Sequence, residues 1–107
     1  MSYRFMRVLV FFDLPTETAE ERRAYRLFRK TLITNGFFMM QESVYCRLLM
    51  NAGAGKSVSE IIRKNAPVKG IVQLLTVTEK QYEGIDILLG GLTQADGPFE
   101  SETLSVF

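Results

Sequence analysis

The sequence predicts a single α+β domain in the order β-α-β-β-α-β, with an added strand at the C-terminus. Three observations predict it. An apolar run, Val8-Leu9-Val10-Phe11-Phe12, is β-branched and aromatic and stops on Asp13, before Leu14-Pro15. Two segments of helical spacing each open on a capping-box pattern. Three further apolar runs of strand length lie between and after them.

The first strand is read over residues 3–12. Val8, Val10 and Phe12 share one face, and Leu9 and Phe11 the other, so both faces are apolar and both need cover. Asp13 has the parity of Leu9 and Phe11. The first helix opens at Thr18, with Glu21 completing T-x-x-E, and stops at Asn35-Gly36. At about 100° per residue, Ala24, Tyr25, Leu27, Phe28 and Leu32 fall on one side. Arg22, Arg23, Arg26, Arg29 and Lys30 fall on the other, with only Ile33 among them. Residues 37–41 and 44–49 read as two strands joined near Glu42-Ser43, although one continuous bent strand fits almost as well. Residues 51–55, Asn-Ala-Gly-Ala-Gly, read as a flexible loop. The second helix is expected to start at Ser57, with Glu60 as its box partner and Pro67 beyond its end. Gly70 leads into a strand over 71–78. Residues 79–83 read as one helical turn and 85–89 as a short apolar run. After an irregular segment through Pro98, residues 103–107 regain strand character.

This is the ferredoxin-like order. Its helices cover one face of the sheet. The other face, apolar as well, is expected to be buried against a second copy about a two-fold axis, giving a homodimer. Residues 99–107, with Leu104, Val106 and Phe107, are expected to add a strand to the partner subunit. Pairing within their own sheet is the alternative.

Composition narrows the chemistry. A hydrophobic fraction of 47% argues against disorder for most of the chain. The single cysteine, Cys46, excludes an internal disulfide and reads as a buried side chain in a reducing compartment. The absence of histidine removes the commonest general base and makes zinc chemistry a poor fit. Any metal here would be oxygen-ligated. The N-terminus lacks the apolar core of a signal peptide and no run is long enough to span a bilayer, so a cytoplasmic protein is expected. The net charge of +1 hides an asymmetry. Residues 1–70 hold twelve Lys/Arg against six Asp/Glu, or +6, whereas 71–107 hold one Lys against six Asp/Glu, or −5. Such a split suggests two different surfaces.

The segments VLVFFDLP, YRLFRKTLITNGF, MMQESVYCRLL and GIVQLLTVTEKQYEGI, in this order and spacing, resemble the CRISPR-associated Cas-two family, closest to its type II-A branch. The resemblance covers nearly the whole chain, with residues 51–55 and 92–101 matching least. It implies a ferredoxin-like homodimer acting in CRISPR adaptation. Such a dimer bridges copies of the CRISPR integrase, the Cas-one protein, and helps to capture a short DNA fragment for insertion into the repeat array. The family resemblance also implies a metal-dependent nuclease. A stand-alone metal-dependent endoribonuclease of the related toxin type is the alternative.

Asp13 is the candidate metal ligand and catalytic residue. A carboxylate at a strand end is solvated in a turn, caps the next element, or holds something positive. One carboxylate is a poor magnesium site, but a two-fold axis supplies a second. One Mg2+ (or Mn2+) shared between two subunits would then relieve their repulsion. Arg22, Arg26 and Arg29, at i, i+4 and i+7, with Arg23 and Lys30 beside them, are the candidate DNA-binding residues. They suit sequence-independent contact with a duplex backbone. The plainer alternative is a solvated face with salt bridges to Glu17, Glu20 or Glu21. Lys56, Arg63, Lys64 and Lys69 could extend the basic surface. The acidic end, Glu79, Glu83, Asp86, Glu100 and Glu102, is expected to face the partner subunit and the integrase. Tyr3, Phe5, Phe37, Phe38, Tyr45 and Tyr82 read as core or interface rather than base-stacking groups. A small-molecule-sensing regulatory domain is a third class, which no pocket motif marks.

Overall fold

The computed structural model describes residues 5–90. Its elements are β1 (Met6–Asp13), α1 (Ala19–Thr34), β2 (Phe38–Gln41), β3 (Val44–Leu49), α2 (Ala52–Asn65), β4 (Ile71–Thr78) and α3 (Glu79–Glu83). The sheet order is β2-β3-β1-β4, and every neighbouring pair is antiparallel. This is the α+β, ferredoxin-like arrangement expected from the order of elements. The strand expected at the C-terminus, with Leu104, Val106 and Phe107, lies outside the described residues, as do Tyr3 and Arg4.

β1 is central and its register fixes both faces of the sheet. Directly paired residues share a face. Val8, Val10 and Phe12 therefore lie with Tyr45 and Leu49 of β3. Together with Phe28 and Leu32 of α1, and Val58 and Ile62 of α2, they form the core, each at most 5% exposed. Phe12 is its centre. Its ring meets Tyr25 and Phe28 edge-on, with centroids 5.9 and 5.3 Å away, and lies 5.7 Å from Tyr45. Such pairs add to the area they bury because ring edges meet ring faces.

α1 follows from its ends. The Thr18 hydroxyl accepts from the Glu21 amide, and the Glu21 carboxylate accepts from the Thr18 and Glu17 amides. At the other end the Phe37 amide donates to the Leu32 carbonyl, and the Gly36 amide to that of Ile33. This is a Schellman stop, with Gly36 in the left-handed region at φ 89°. β2 and β3 are two strands joined by a turn at Glu42-Ser43, which settles the alternative of one bent strand.

α2 corrects the expectation. It begins at Ala52, not Ser57, and the expected loop at 51–55 is largely its first turn. The Asn51 side chain accepts from the Ala54 amide at 2.9 Å, and Ala54 packs against the core. A glycine inside a helix costs about 1 kcal/mol relative to alanine. The cap and the packing of this turn offset that cost at Gly53 and Gly55. Ser57 and Glu60 consequently lie mid-helix and form no capping box.

The other face of the sheet carries Arg7, Leu9, Phe11 and Asp13 along β1, beside Cys46 and Leu48 of β3 and Ile71 and Leu75 of β4. It is apolar, as the sequence indicates. Phe38, Leu48, Leu75 and Ile71 are all substantially exposed on it. α3 covers one end. Thr78 and Gln81 form its capping box, which sequence reading passed over. Arg7 Nε and one Nη donate to the Glu79 carboxylate at 2.7 and 3.1 Å, and the guanidinium lies 4.1 Å from the Tyr82 ring centroid. Cys46 is buried beneath it, and burial pushes its thiol pKa up. Residues 85–89 form no helix or strand and are exposed.

Two predictions concern this frame. Gly70 has φ 103°, and a Cβ there would lie 2.6 Å from the Asp13 carbonyl oxygen. Gly70→Ala should cost about 2 kcal/mol or more in urea unfolding, from left-handed strain plus a backbone clash. Gly36→Ala should cost less, because its Cβ would meet only the flexible Arg47 side chain at 3.5 Å. The second concerns pH. The Arg7 hydrogen bond holds the Glu79 pKa below the usual carboxylate value. The stabilisation is therefore present above the ordinary carboxylate pKa and lost as pH falls through the lowered one. Thermal midpoints of wild type and Glu79→Gln should differ at neutral pH and converge under acid. A constant gap would rule the pair out as the cause.

Candidate functional site

The predicted site residues separate onto opposite sides of the molecule. Asp13 ends β1 on the open face, opposite Ile71. It is exposed. The ion pairs among the described residues are Arg7–Glu79 and Lys69–Glu21, so Asp13 is in neither. Its main chain is held by the ladder to β4 and by the close approach of Gly70. Among the described residues no three acidic, Cys or His side chains gather to hold a metal ion. Asp13 is thus not part of a cluster of three or more such side chains among the described residues.

The basic residues lie on the helix layer. Phe28 and Leu32 face the core, which turns Arg22, Arg23, Arg26, Arg29 and Lys30 outward, and all five are exposed. None is salt-bridged to Glu17, Glu20 or Glu21 among the described residues. Glu21 is instead engaged by the capping box and by Lys69 at 3.7 Å, and these contacts lower its pKa.

The five are not equivalent. Arg22 Nη1 donates to the carbonyls of Thr16 and Glu17, at 3.1 and 2.9 Å. That ties it to the loop between β1 and α1. Arg29 Nε donates to the Tyr45 hydroxyl at 2.6 Å, which raises the Arg29 pKa. Arg23, Arg26 and Lys30 belong to neither ion pair among the described residues. Lys56, Arg63 and Lys64 are exposed on α2.

Sequence reading missed the contact between Arg29 and Tyr45. Strand alternation buries Tyr45 but does not reveal that its hydroxyl reaches α1. Helical spacing groups Arg29 with the other cations but does not say where its Nε points. At the acidic end, Glu79 is bound to Arg7 rather than displayed outward. Glu83 and Asp86 are exposed, and Glu100 and Glu102 lie outside the described residues. Phe37 and Tyr45 are core, Tyr82 packs on Arg7, and Phe5 and Phe38 remain partly exposed.

A groove of about 240 Å³ opens beside the β1 end, between Leu14-Pro15 and Pro67-Val68. The Lys69–Glu21 pair lies on its rim. No helix among the described residues is long and apolar enough to cross a membrane.

Known proteins share this pattern. The family described as CRISPR associated protein Cas2 matches residues 6–85, which run from the start of β1 to just beyond α3. A CRISPR-associated endoribonuclease Cas2 of Treponema denticola is 52% identical over 85 residues, covering 79% of this chain and 84% of the relative. One from Streptococcus mutans is 51% identical over 85 residues, covering 79% of this chain and 78% of the relative. One from Campylobacter jejuni is 38% identical over 104 residues, covering 97% and 73%. With the family match spanning every described element, this chain belongs to the CRISPR-associated Cas2 family.

Proposed function

We propose that the chain acts in CRISPR spacer acquisition as a homodimeric scaffold, binding duplex DNA through α1 and bridging copies of the CRISPR integrase. One observation carries this reading. α1 turns five cations outward, and Arg23, Arg26 and Lys30 among them lack a salt bridge to any described residue. Like charges one turn apart repel, and an anion relieves them. Phosphates do so without reporting sequence, which suits a carrier of arbitrary fragments. The second copy is proposed to cover the open apolar face, where exposed Phe38, Leu48, Ile71 and Leu75 lie in hydrogen-bonded strands. Leu104, Val106 and Phe107 are proposed to contact the partner subunit and the integrase.

A pull-down from co-expression with the integrase, onto a short duplex, tests both halves. Arg23→Glu/Arg26→Glu/Lys30→Glu should keep the integrase but lose duplex capture, with a flatter salt dependence. Deleting residues 99–107 should lose the integrase. Unchanged duplex capture by the first variant would sink the α1 assignment, and retained integrase with the second would sink the C-terminal one.

A second reading, a metal-dependent endoribonuclease, is favoured by the relatives, which are named endoribonucleases, and by Asp13. The proposed ion is Mg2+ (or Mn2+), held between Asp13 and the same residue of a second copy. Asp13 is exposed at the end of the apolar face, where a two-fold axis would bring the two together. When bound, such an ion supplies Lewis-acid activation against a phosphodiester. Asp13→Ala should then abolish metal-dependent RNA cleavage by the purified chain and leave duplex binding intact. Equal cleavage by both proteins would remove Asp13 from any catalytic role.

A further inference from the structure

Arg29 is held differently from the other cations of α1. Its Nε–H donates at 2.6 Å to the hydroxyl of Tyr45, a side chain with no exposed surface. The Tyr45 ring is fixed between strands, opposite Val10 of β1 and Met39 of β2, and against Phe12. The hydroxyl therefore occupies a position set by the core. Arg29 itself is exposed.

A guanidinium carries five N–H donors in a planar fork. With Nε spent on Tyr45, the four N–H groups of the two terminal nitrogens are left. Their edge can take two oxygens of one phosphate side by side. A free surface arginine must be ordered when it binds, whereas one already pinned loses less freedom.

We infer that Tyr45 is a positioning residue, whose hydroxyl holds the Arg29 guanidinium on the helix surface as a preformed fork for a backbone phosphate. The inference rests on the reading that α1 binds duplex DNA. Arg22 lies seven residues earlier, about 10.5 Å along the helix, and is likewise tethered through one nitrogen. The two would act as fixed points between which Arg23 and Arg26 adapt, with Lys30 just beyond Arg29.

The test is a double-mutant cycle on the purified full chain, titrated with a short mixed-sequence duplex at several salt concentrations. Tyr45→Phe keeps the ring and removes only the hydroxyl. It should weaken binding about threefold to tenfold. Arg29→Gln should weaken it at least as much and reduce the salt slope by about 0.9, one phosphate contact. Adding Tyr45→Phe to Arg29→Gln should cost nothing further. Arg29→Lys leaves Tyr45 untouched and preserves net charge. It should match Tyr45→Phe in affinity, and so tests the fork even where Tyr45→Phe unfolds. Equal losses from Tyr45→Phe with and without Arg29 would make the hydroxyl merely structural and overturn the inference, as would wild-type affinity in Arg29→Lys. Absence of salt-dependent duplex binding by the wild type would overturn the α1 reading itself.

Discussion

β1 is hydrogen-bonded along both edges and packed under two helices, so its register decides where every side chain of interest lies. In a strand, a slip of one residue exchanges the faces. Here a slip would drive Arg7 and Asp13 into the core and expel Val8, Val10 and Phe12. The aromatic cluster around Phe12 opposes that slip. It joins β1 to β3 and to α1 through three ring contacts, and so also sets the rotation of α1 about its own axis. The outward turn of the basic residues follows from that rotation.

The sheet thus separates two kinds of surface. The helix side ends in cations, and the open side ends in apolar strands with a carboxylate at one end and a capped, ion-paired helical turn at the other. A charged layer and an open apolar layer can each be altered without disturbing the other. Arg29 is the exception. Through Tyr45 it connects the outer layer to the buried one.

Much of this was legible from local chemistry. The Thr18–Glu21 box, the Asn35-Gly36 stop and the Val8–Phe12 alternation are local signals, and the structure follows each of them. The start of α2 was not, because two glycines outweigh one asparagine by propensity while Ala54 gains its packing only once the core has assembled. The five cations of α1 were legible as a face. The distinction among them was not, since Arg22 and Arg29 are separated from the others by contacts with a loop and with a strand. The Arg7–Glu79 pair joins residues 72 positions apart, a separation at which sequence pattern carries no information.

That same separation bears on how the chain reaches its fold. β1 is made first, yet its second edge is closed only by β4, whose Thr78 pairs with Met6. During synthesis β1 is an edge strand until residues 71–78 emerge. An apolar strand with unpaired amides and carbonyls is a template for wrong pairing. Pairing β1 with β4 also joins residues far apart in sequence, a loop-closure cost that slows folding. Nascent chains of this protein are therefore at greatest risk of association after α2 is complete and before β4 arrives. The order in which its strands are synthesised, as much as their composition, sets its demand for chaperones.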